Sequence, residues 1–442
     1  MMGREHRKGE RGQVLVLCAI CIFVLLLFVG LAIDFGLAYV TKASLGKAVD
    51  AAVLTAAKNT GLGQAGFTTL ATSAFFMNYG TSNRDVAPPV VTVCNNTACP
   101  TDSLGDTLLT ITATSTIKTY FIGLLPSYST LNVSAYAEAR YARVEMTLVI
   151  DRTGSMKQNA PGTSLPDAIT TFVGLFDNVN DSMAMISFAN DQTIDFPMTT
   201  GNFQQAITNA ANNYPGKFQG ATYSDGALQL AQTEEAIVLP IVGNVVHVVV
   251  FFTDGNANTI QTPLTCTAGG NVPSGTWRIG GTDPPNNTET GFVTSSVAGT
   301  CSPLNGNPNF FCSVGGCNGL QSDGTSTCCN GKFTSLSSGQ QTISWANVNA
   351  DALNRAVADA NAMRATTPPT IVYSIGLHGT SGVLDDLFLC EIANDAGAYC
   401  ASLGFVANPN TPQGEFALAS DSSQLTAAFE QIASDIRLRL LQ

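Results

Sequence analysis

Two short stretches of this chain place oxygen-bearing side chains directly after apolar runs. In the first, Asp151 ends the run LVI, and Thr153 and Ser155 follow at two-residue spacing. In the second, Asp254 directly follows the run VVVFFT, and Thr222 lies between the two stretches. A small hard cation such as Mg²⁺ prefers oxygen ligands, usually about six at about 2.1 Å. Two carboxylates, three hydroxyls and one open position would meet that demand.

These stretches lie where apolar runs alternate with helical patterns. The strand-like runs are VEMTLVI, MAMISF, VVHVVVFF and TIVYSIGL, and the helical patterns cover residues 165–176, 203–214, 223–237, 345–363, 421–436 and a stretch from 383. Alternating apolar strands and helices predict a parallel, doubly wound, Rossmann-like α/β sheet. Because ligands of such sheets bind at the carboxyl ends of the strands, we expect the oxygen ligands to meet at one edge.

The order of these ligands resembles that of a known domain. The pattern Asp151-x-Thr153-x-Ser155, then Thr222, then Asp254 is similar to the metal-ion-dependent adhesion site (MIDAS) of von Willebrand factor A (VWA) domains, which reads D-x-S-x-S, T, D. The resemblance implies that the two hydroxyls of the first loop bind the metal directly, and Thr222 directly or through water. It implies that the two carboxylates act largely through bound water or as nearby charge. Thr153 stands where the family usually has Ser, but it keeps the hydroxyl.

The resemblance covers residues 144–442, apart from an insertion at 256–341. It implies a bound Mg²⁺, with Mn²⁺ or Ca²⁺ as alternatives, whose open position is filled by a carboxylate of a protein partner. A site of this kind bridges two proteins, and we therefore predict no enzymatic activity. The alternative is a metal-dependent hydrolase acting on cell-wall or phosphoester substrates. It lacks support because Ser155 has no convincing base partner, and the only histidines are His6, His247 and His378.

The N-terminus carries the one long apolar segment, residues 14–33, which is twenty residues without a charge. A helix of that length crosses about 30 Å of hydrocarbon. Four basic residues precede it, and this excess predicts that the N-terminal side stays in the cytoplasm. We predict an uncleaved, single-pass anchor at 13–35 and a cytoplasmic tail at 1–12. A cleaved signal peptide and a type IV prepilin are the alternatives; the prepilin would carry Glu where Leu17 stands.

The helical pattern continues beyond the anchor through residues 35–59, so that one long helix could cover both. Alternating residues at 107–121 and 131–146 then predict half-buried strands. Gly12, the apolar span, the exit IDFG and the Ala-rich AVDAA resemble the TadE/TadG-like anchor of tight-adherence (Flp) pilus assembly proteins. The departure is the missing early Glu of the span. Residues 36–143 are thus predicted to be a TadE/TadG-like helix followed by a β-rich extracytoplasmic region.

Composition bounds the remaining possibilities. The net charge is −12 and only 12% of residues are charged, so the chain would repel phosphate backbones and no nucleic-acid partner is expected. Ten of the twelve cysteines follow the anchor, which predicts a disulfide framework in an oxidising compartment. Six of them crowd into the insertion, which has few apolar residues and needs disulfides to hold a shape. A zinc knuckle is the alternative for these six, but no paired C-x-x-C is present.

Together these features predict a VWA-type α/β sheet preceded by a transmembrane helix and a small α+β region, with a disulfide-rich insertion. The protein would lie in the inner membrane with its bulk in the periplasm or outside the cell. The predicted function is metal-dependent binding of a protein, such as a pilus component, in tight-adherence pilus assembly or adhesion. The alternative is a surface adhesin that binds a host or matrix protein independently of pili. We also expect the insertion to lie beside the metal and shape partner access.

Overall fold

The computed structural model describes most of the chain, namely residues 10–80, 85–94, 98–100, 106–124, 128–237, 239, 244–264, 275–280, 291–292, 309–312, 339–342, 345–379 and 384–440. It divides into two compact units. The first comprises residues 1–59, 64–102 and 107–141, and the second comprises 60–63, 103–106 and 142–442.

The first unit begins with a single helix, α1, which spans Glu10–Ala57. Its apolar first half is long and apolar enough to cross a membrane, and its side chains between Leu15 and Val29 are exposed. The second half buries one face at helical spacing: Leu45, Ala48, Val49, Ala52, Val53 and Ala56. The continuous helix that the sequence suggested is therefore present, and its character changes from exposed apolar to amphipathic along its length.

A three-stranded antiparallel sheet packs on the second half of α1. Its strands are β1 (Val90–Val93), β2 (Thr107–Lys118) and β3 (Thr130–Tyr141), in the order β1-β2-β3. The alternation predicted both β2 and β3, although the second predicted stretch, 131–146, runs past the end of β3 at Tyr141. The pattern shows in burial, since every second residue of β2 from Leu109 is buried. A disulfide between Cys94 and Cys99 follows β1.

Helix α2 (Gly63–Tyr79) was not predicted from the sequence. It contains Gly and Thr, which are poor helix formers, so its sequence gives only a weak helical signal. Tertiary packing of its buried residues, Phe67, Ala71 and Phe75, outweighs that weak propensity.

The second unit is built on a six-stranded sheet. Its strands are β4 (Arg143–Asp151), β5 (Ser182–Phe188), β6 (Gln192–Thr200), β7 (Val245–Thr253), β13 (Thr370–Leu377) and β14 (Phe416–Ala419), in the order β14-β13-β7-β4-β5-β6. The predicted doubly wound α/β sheet is confirmed, except that β6 runs antiparallel to β5. Only three residues join β5 to β6, which is too short for the crossover that a parallel pair needs.

Helices cover both faces of this sheet. They are α3 (Met156–Asn159), α4 (Ser164–Val173), α5 (Phe203–Ala211), α6 (Ser224–Glu235), α7 (Trp345–Arg364), α8 (Asp386–Ala393), α9 (Ala398–Ser402) and α10 (Leu425–Arg439). Adjacent residues of β7 point to opposite faces. Phe251 stacks on Phe188 in the core formed with α6, α7 and α8, whereas Phe252 contacts Phe429 of α10. The sheet is therefore buried on both sides, as its apolar strands predicted.

The range predicted as an insertion begins inside the core. Ala257 and Ile260 are fully buried, and Ile260 belongs to strand β8 (Thr259–Leu264), which pairs antiparallel with β9 (Gly275–Gly280). Three short strands follow, β10 (Gly291–Phe292), β11 (Asn309–Cys312) and β12 (Gly339–Thr342). Most of residues 265–344, and with them the proposed cysteine cluster and its pairing, lie outside the described residues.

Candidate metal centre

Asp151 is the last residue of β4, and its carboxylate is completely buried. One oxygen, Oδ1, accepts a hydrogen bond from the backbone N–H of Thr153 at 2.7 Å. The other, Oδ2, accepts one from the Thr253 hydroxyl at the end of β7, at 2.5 Å. Strands β4 and β7 are neighbours in the sheet, so this bond joins the carboxyl ends of two adjacent strands. The Asp151 carboxylate is thereby fixed in position.

The two hydroxyls of the first loop lie between the carboxylates. Thr153 Oγ1 and Ser155 Oγ are 3.0 Å apart, and Ser155 Oγ donates a hydrogen bond to Asp254 Oδ1 at 2.6 Å. Helix α3 starts immediately after Ser155, so the loop is held at both ends, by β4 and by α3. The structure therefore brings Asp151, Thr153, Ser155 and Asp254 together in one cluster, as their order in the sequence predicted.

Two asparagines outside the predicted set of ligands also contribute. Asn159, the last residue of α3, donates from Nδ2 to Asp254 Oδ2 at 2.9 Å. It follows Ser155 by four residues, one helical turn, and that spacing was the signal that could have identified it. Asn258 accepts from the backbone N–H of Thr222 at 2.7 Å through Oδ1, and its own N–H donates to the Thr222 carbonyl at 3.1 Å.

Thr222 is positioned by backbone contacts to both of the other loops. Its link to Asn258 ties it to the segment after Asp254, and the preceding Gly220 carbonyl accepts from Gly154 N–H at 3.2 Å. Among the described residues, the Thr222 hydroxyl forms no hydrogen bond with the other four site residues. The three loops are thus joined through their backbones, while the side-chain cluster itself contains four of the five predicted residues.

The two carboxylates lack a positive partner in the part of the chain that the structure describes. Burial, reinforced by the charge of Asp151, raises the pKa of Asp254 to about 8, although Ser155 and Asn159 oppose the shift. Burial likewise raises the pKa of Asp151. The neighbouring Arg152 pairs instead with Asp191, at 3.0 Å. A buried carboxylate without a cation is costly, and a bound divalent ion would remove that cost.

The donor set fits a hard cation rather than a soft one. The clustered side chains offer carboxylate and hydroxyl oxygens, which suit Mg²⁺, Mn²⁺ or Ca²⁺ better than ions that favour sulfur or imidazole. Within the described ranges, no group of three or more His, Cys, Asp or Glu residues has an arrangement that could hold a metal. A metal at this edge would therefore depend on the hydroxyls of Thr153 and Ser155 as much as on the two carboxylates.

The described histidines lie elsewhere or face other groups. His247 is near the start of β7, at the opposite end of the strand from the cluster, and its Nδ1 lies 3.4 Å from Glu235 Oε2. His378 directly follows β13, at the same sheet edge as Asp254, as expected, and its Nε2 lies 2.9 Å from Asp386 Oδ1. In the described part of the chain neither imidazole is hydrogen-bonded to Ser155, whose hydroxyl donates to a carboxylate instead.

Two family models match the chain. Residues 145–286 match the von Willebrand factor type A domain. Residues 12–59 match the Flp pilus-assembly TadE/G-like family. No curated protein matches the chain.

Several solved structures are similar to the chain at low identity. The vWF domain of the type V pili tip protein Mfa5 from Porphyromonas gingivalis is 15% identical over 68% of this chain and 97% of that one, with a TM-score of 0.36. The PilB minor pilin from Streptococcus sanguinis is 12% identical over 82% and 81%, with a TM-score of 0.38. Proximal thread matrix protein 1 from the mussel byssus, with a zinc-occupied MIDAS motif, is 13% identical over 68% and 46%, with a TM-score of 0.34. The chain spans about half the length of this byssus protein.

Proposed function

We propose that this chain, which carries a VWA domain and a TadE/G-like segment, binds a protein partner through a divalent metal ion while anchored in a membrane. Its process would be the assembly of Flp-type pili or adhesion through them. The observation that carries the proposal is the cluster of two buried carboxylates, Asp151 and Asp254, with the hydroxyls of Thr153 and Ser155 between them.

The residues proposed to hold the metal are Asp151, Thr153, Ser155, Thr222 and Asp254. The two carboxylates would supply the negative charge, and the hydroxyls would present lone pairs once the Ser155 proton turns away from Asp254. Mg²⁺ is the proposed ion, with Mn²⁺ or Ca²⁺ as alternatives. When bound, the cation would offer an open position to a carboxylate of the partner, and the chain's own groups would orient and neutralise it.

The proposed arrangement in the membrane is a single span at residues 13–35 with a cytoplasmic tail at 1–12. Residues 36–143 and the VWA domain at 144–442 would then lie in the periplasm or outside the cell. Two features support this: the exposed apolar half of α1, and the disulfides Cys94–Cys99 and Cys390–Cys400, which persist in oxidising compartments. We propose no catalytic role, because the Ser155 hydroxyl donates to the Asp254 carboxylate and, among the described residues, no imidazole is hydrogen-bonded to it, which suits binding better than turnover.

Metal binding is tested on the full chain in nanodiscs by titration with Mn²⁺ and Mg²⁺. Ser155→Ala should weaken binding at least about tenfold, because it removes a proposed ligand. The matched control is Ser423→Ala, since the Ser423 hydroxyl also bonds a carboxylate, that of Asp421, but outside the site. Equal affinity in the wild type and Ser155→Ala would contradict the proposed site.

Partner binding is tested by pull-down with the same nanodiscs, with and without a chelator. The proposal expects capture of a protein that is lost with chelator and lost in Ser155→Ala. Loss of pili in a deletion strain would favour a role in assembly. Retained pili together with lost surface attachment would favour the alternative, an adhesin that binds a host or matrix protein independently of pili.

A further inference from the structure

The turn between β2 and β3 packs against the apolar half of α1. The carboxylate of Asp34 accepts three consecutive backbone hydrogen bonds from this turn: from Tyr120 at 2.9 Å, from Phe121 at 2.9 Å and from Ile122 at 2.7 Å. Asp34 is almost fully buried by these contacts. A single acidic side chain at the end of the apolar stretch thus satisfies three backbone donors of the turn, which fixes the turn against the helix.

A second contact joins the turn to α1 nearer the N-terminal end of the helix, within the apolar stretch. Gly30 is buried, and a Cβ atom built there would lie only 2.4 Å from Phe121 Cγ, so the ring packs directly on the helix backbone. Gly30 precedes Asp34 by four residues, which is about 6 Å along the helix axis. It also belongs to the uncharged stretch 14–33. The turn therefore contacts the segment proposed to span the membrane at Gly30, inside the uncharged stretch, as well as at Asp34, just beyond it.

The turn presents aromatic rings at this level. Tyr120 is 59% exposed, Phe121 42% and Tyr128 58%. Between the turn and the helix lies a groove of about 930 Å³, with apolar walls that include Phe23, Leu27, Phe28, Leu31, Phe121 and Leu131. Its few polar residues include Asp34, which is already satisfied by the turn. The groove thus offers an apolar occupant a long hydrophobic wall.

We propose that the β2–β3 turn is a contact with the membrane itself: its aromatic rings lie in the outer headgroup layer, and a lipid acyl chain occupies the groove beside α1. This inference rests on the proposed insertion of α1. The wall from Phe23 to Leu31 belongs to the span, so the groove opens where the surroundings are hydrocarbon. Tyr rings, with an apolar body and a polar tip, favour the boundary between hydrocarbon and water.

The test uses tryptophan reporters in the full chain, in nanodiscs that each hold one copy, so that lipid is the only available occupant. The two native tryptophans, Trp277 and Trp345, are first changed to Phe. Tyr120→Trp reports on the turn, Phe23→Trp on the span, and Tyr136→Trp serves as the matched control. Tyr136 is 57% exposed, but it lies on β3, six residues or about 20 Å beyond the start of the strand. Quenching is then measured with two phosphatidylcholines: one carries the doxyl group near the carbonyl and reports on positions 120 and 136. The other carries it near the end of the acyl chain and reports on position 23, which lies near the middle of the proposed span.

The inference expects strong quenching at positions 23 and 120 and several-fold weaker quenching at 136. If position 120 is quenched as weakly as 136 while 23 is quenched strongly, the turn does not touch lipid and the inference is overturned, although the anchor stands. If position 23 is also unquenched, α1 is not inserted and the proposed membrane anchoring fails together with the inference.

A pair of glycine variants tests the contact that holds the turn. Gly30→Leu should push the Phe121 ring off the helix and remove most of the quenching at position 120, while position 23 stays quenched. Gly36→Leu is the control, because a Cβ at Gly36 meets nothing within 4 Å. Unchanged quenching in Gly30→Leu would overturn the role of this contact.

Discussion

The side-chain amide of Asn159 donates to Asp254 Oδ2 at 2.9 Å, on the side of the carboxylate opposite to the oxygen that accepts from Ser155. The two donors together fix the rotation of the carboxylate. Because Asn159 occupies Oδ2, the other oxygen is the one that faces the hydroxyl cluster. Asn159 is therefore a positioning residue for the proposed metal site, acting through Asp254.

Removing this amide should loosen the carboxylate and weaken metal binding. We expect Asn159→Ala to lower Mn²⁺ affinity by about 10- to 100-fold, the range typical of residues that orient metal ligands. The measurement is isothermal titration of the full chain. Asn180→Ala is the matched control, because Asn180 Nδ2 bonds the Asp177 carboxylate at 2.8 Å just before β5 begins, at the opposite edge of the sheet from the site. Equal affinities for the two variants would show that Asn159 does not position Asp254.

A glycine on a different loop should affect the same contact. A Cβ at Gly379, two residues after β13, would lie 1.9 Å from Asn159 Cγ, so Gly379→Ala must displace the amide. We expect weaker Mn²⁺ binding in Gly379→Ala, and no further loss when Asn159→Ala is added, since both changes break one contact. Gly46→Ala, where a Cβ meets nothing within 4 Å, is the control. Additive losses in the double variant would contradict this coupling.

Metal should stabilise the fold, because the folded chain alone gathers the ligands. At a free metal concentration of 100 times Kd, we expect about 2.7 kcal/mol of added stability relative to chelator. Denaturation of the chain in detergent, with Mg²⁺ and with chelator, measures this difference. It should vanish in Asp254→Ala and persist in Asp421→Ala. A metal-independent unfolding curve in the wild type, at concentrations above the measured Kd, would contradict the proposed site.

Glu391 in α8 should make stability depend on pH. Burial, together with the charge of Asp385, raises the pKa of Glu391 to about 8 from its usual 4.5. The folded state therefore keeps a proton that the unfolded state releases, and stability falls as pH rises between these two values, by up to about 1.4 kcal/mol per pH unit. Glu391→Gln should make this slope shallower by the contribution of one group, because Asp254 titrates in the same range, whereas Glu430→Gln, on the exposed face of α10, should leave the slope unchanged. Parallel pH profiles for the wild type and Glu391→Gln would refute the assignment.

The disulfide between Cys390 and Cys400 joins α8 to α9, with the two Cα atoms 5.6 Å apart. Replacing both cysteines by Ala should lower the free energy of unfolding by about 2–4 kcal/mol, since the unfolded chain regains the freedom of the closed loop. Denaturant unfolding measures the change. Replacing Cys18 and Cys21, which are free and exposed on α1, should have no comparable effect. A loss below about 0.5 kcal/mol would show that the bond does not constrain this region.

Several features of the chain followed from the sequence because they depend on neighbouring residues. Asp151, Thr153 and Ser155 lie in one loop after an apolar strand, and helix α1 follows from composition and period. The order of apolar runs and helices also sufficed to predict the doubly wound sheet. In each case local periodicity carries the information.

Other features appear only when the chain is folded. Asn159 meets Asp254 across 95 residues, and Asp34 meets the β2–β3 turn across more than 80. Helix α2 has weak intrinsic propensity and exists because its buried face packs. Such contacts depend on strand order and loop paths, which a residue's own neighbours do not encode. The sequence by itself therefore determined the types of element and the candidate ligands, and the tertiary structure alone decided which donor holds each carboxylate and where the turn meets the helix.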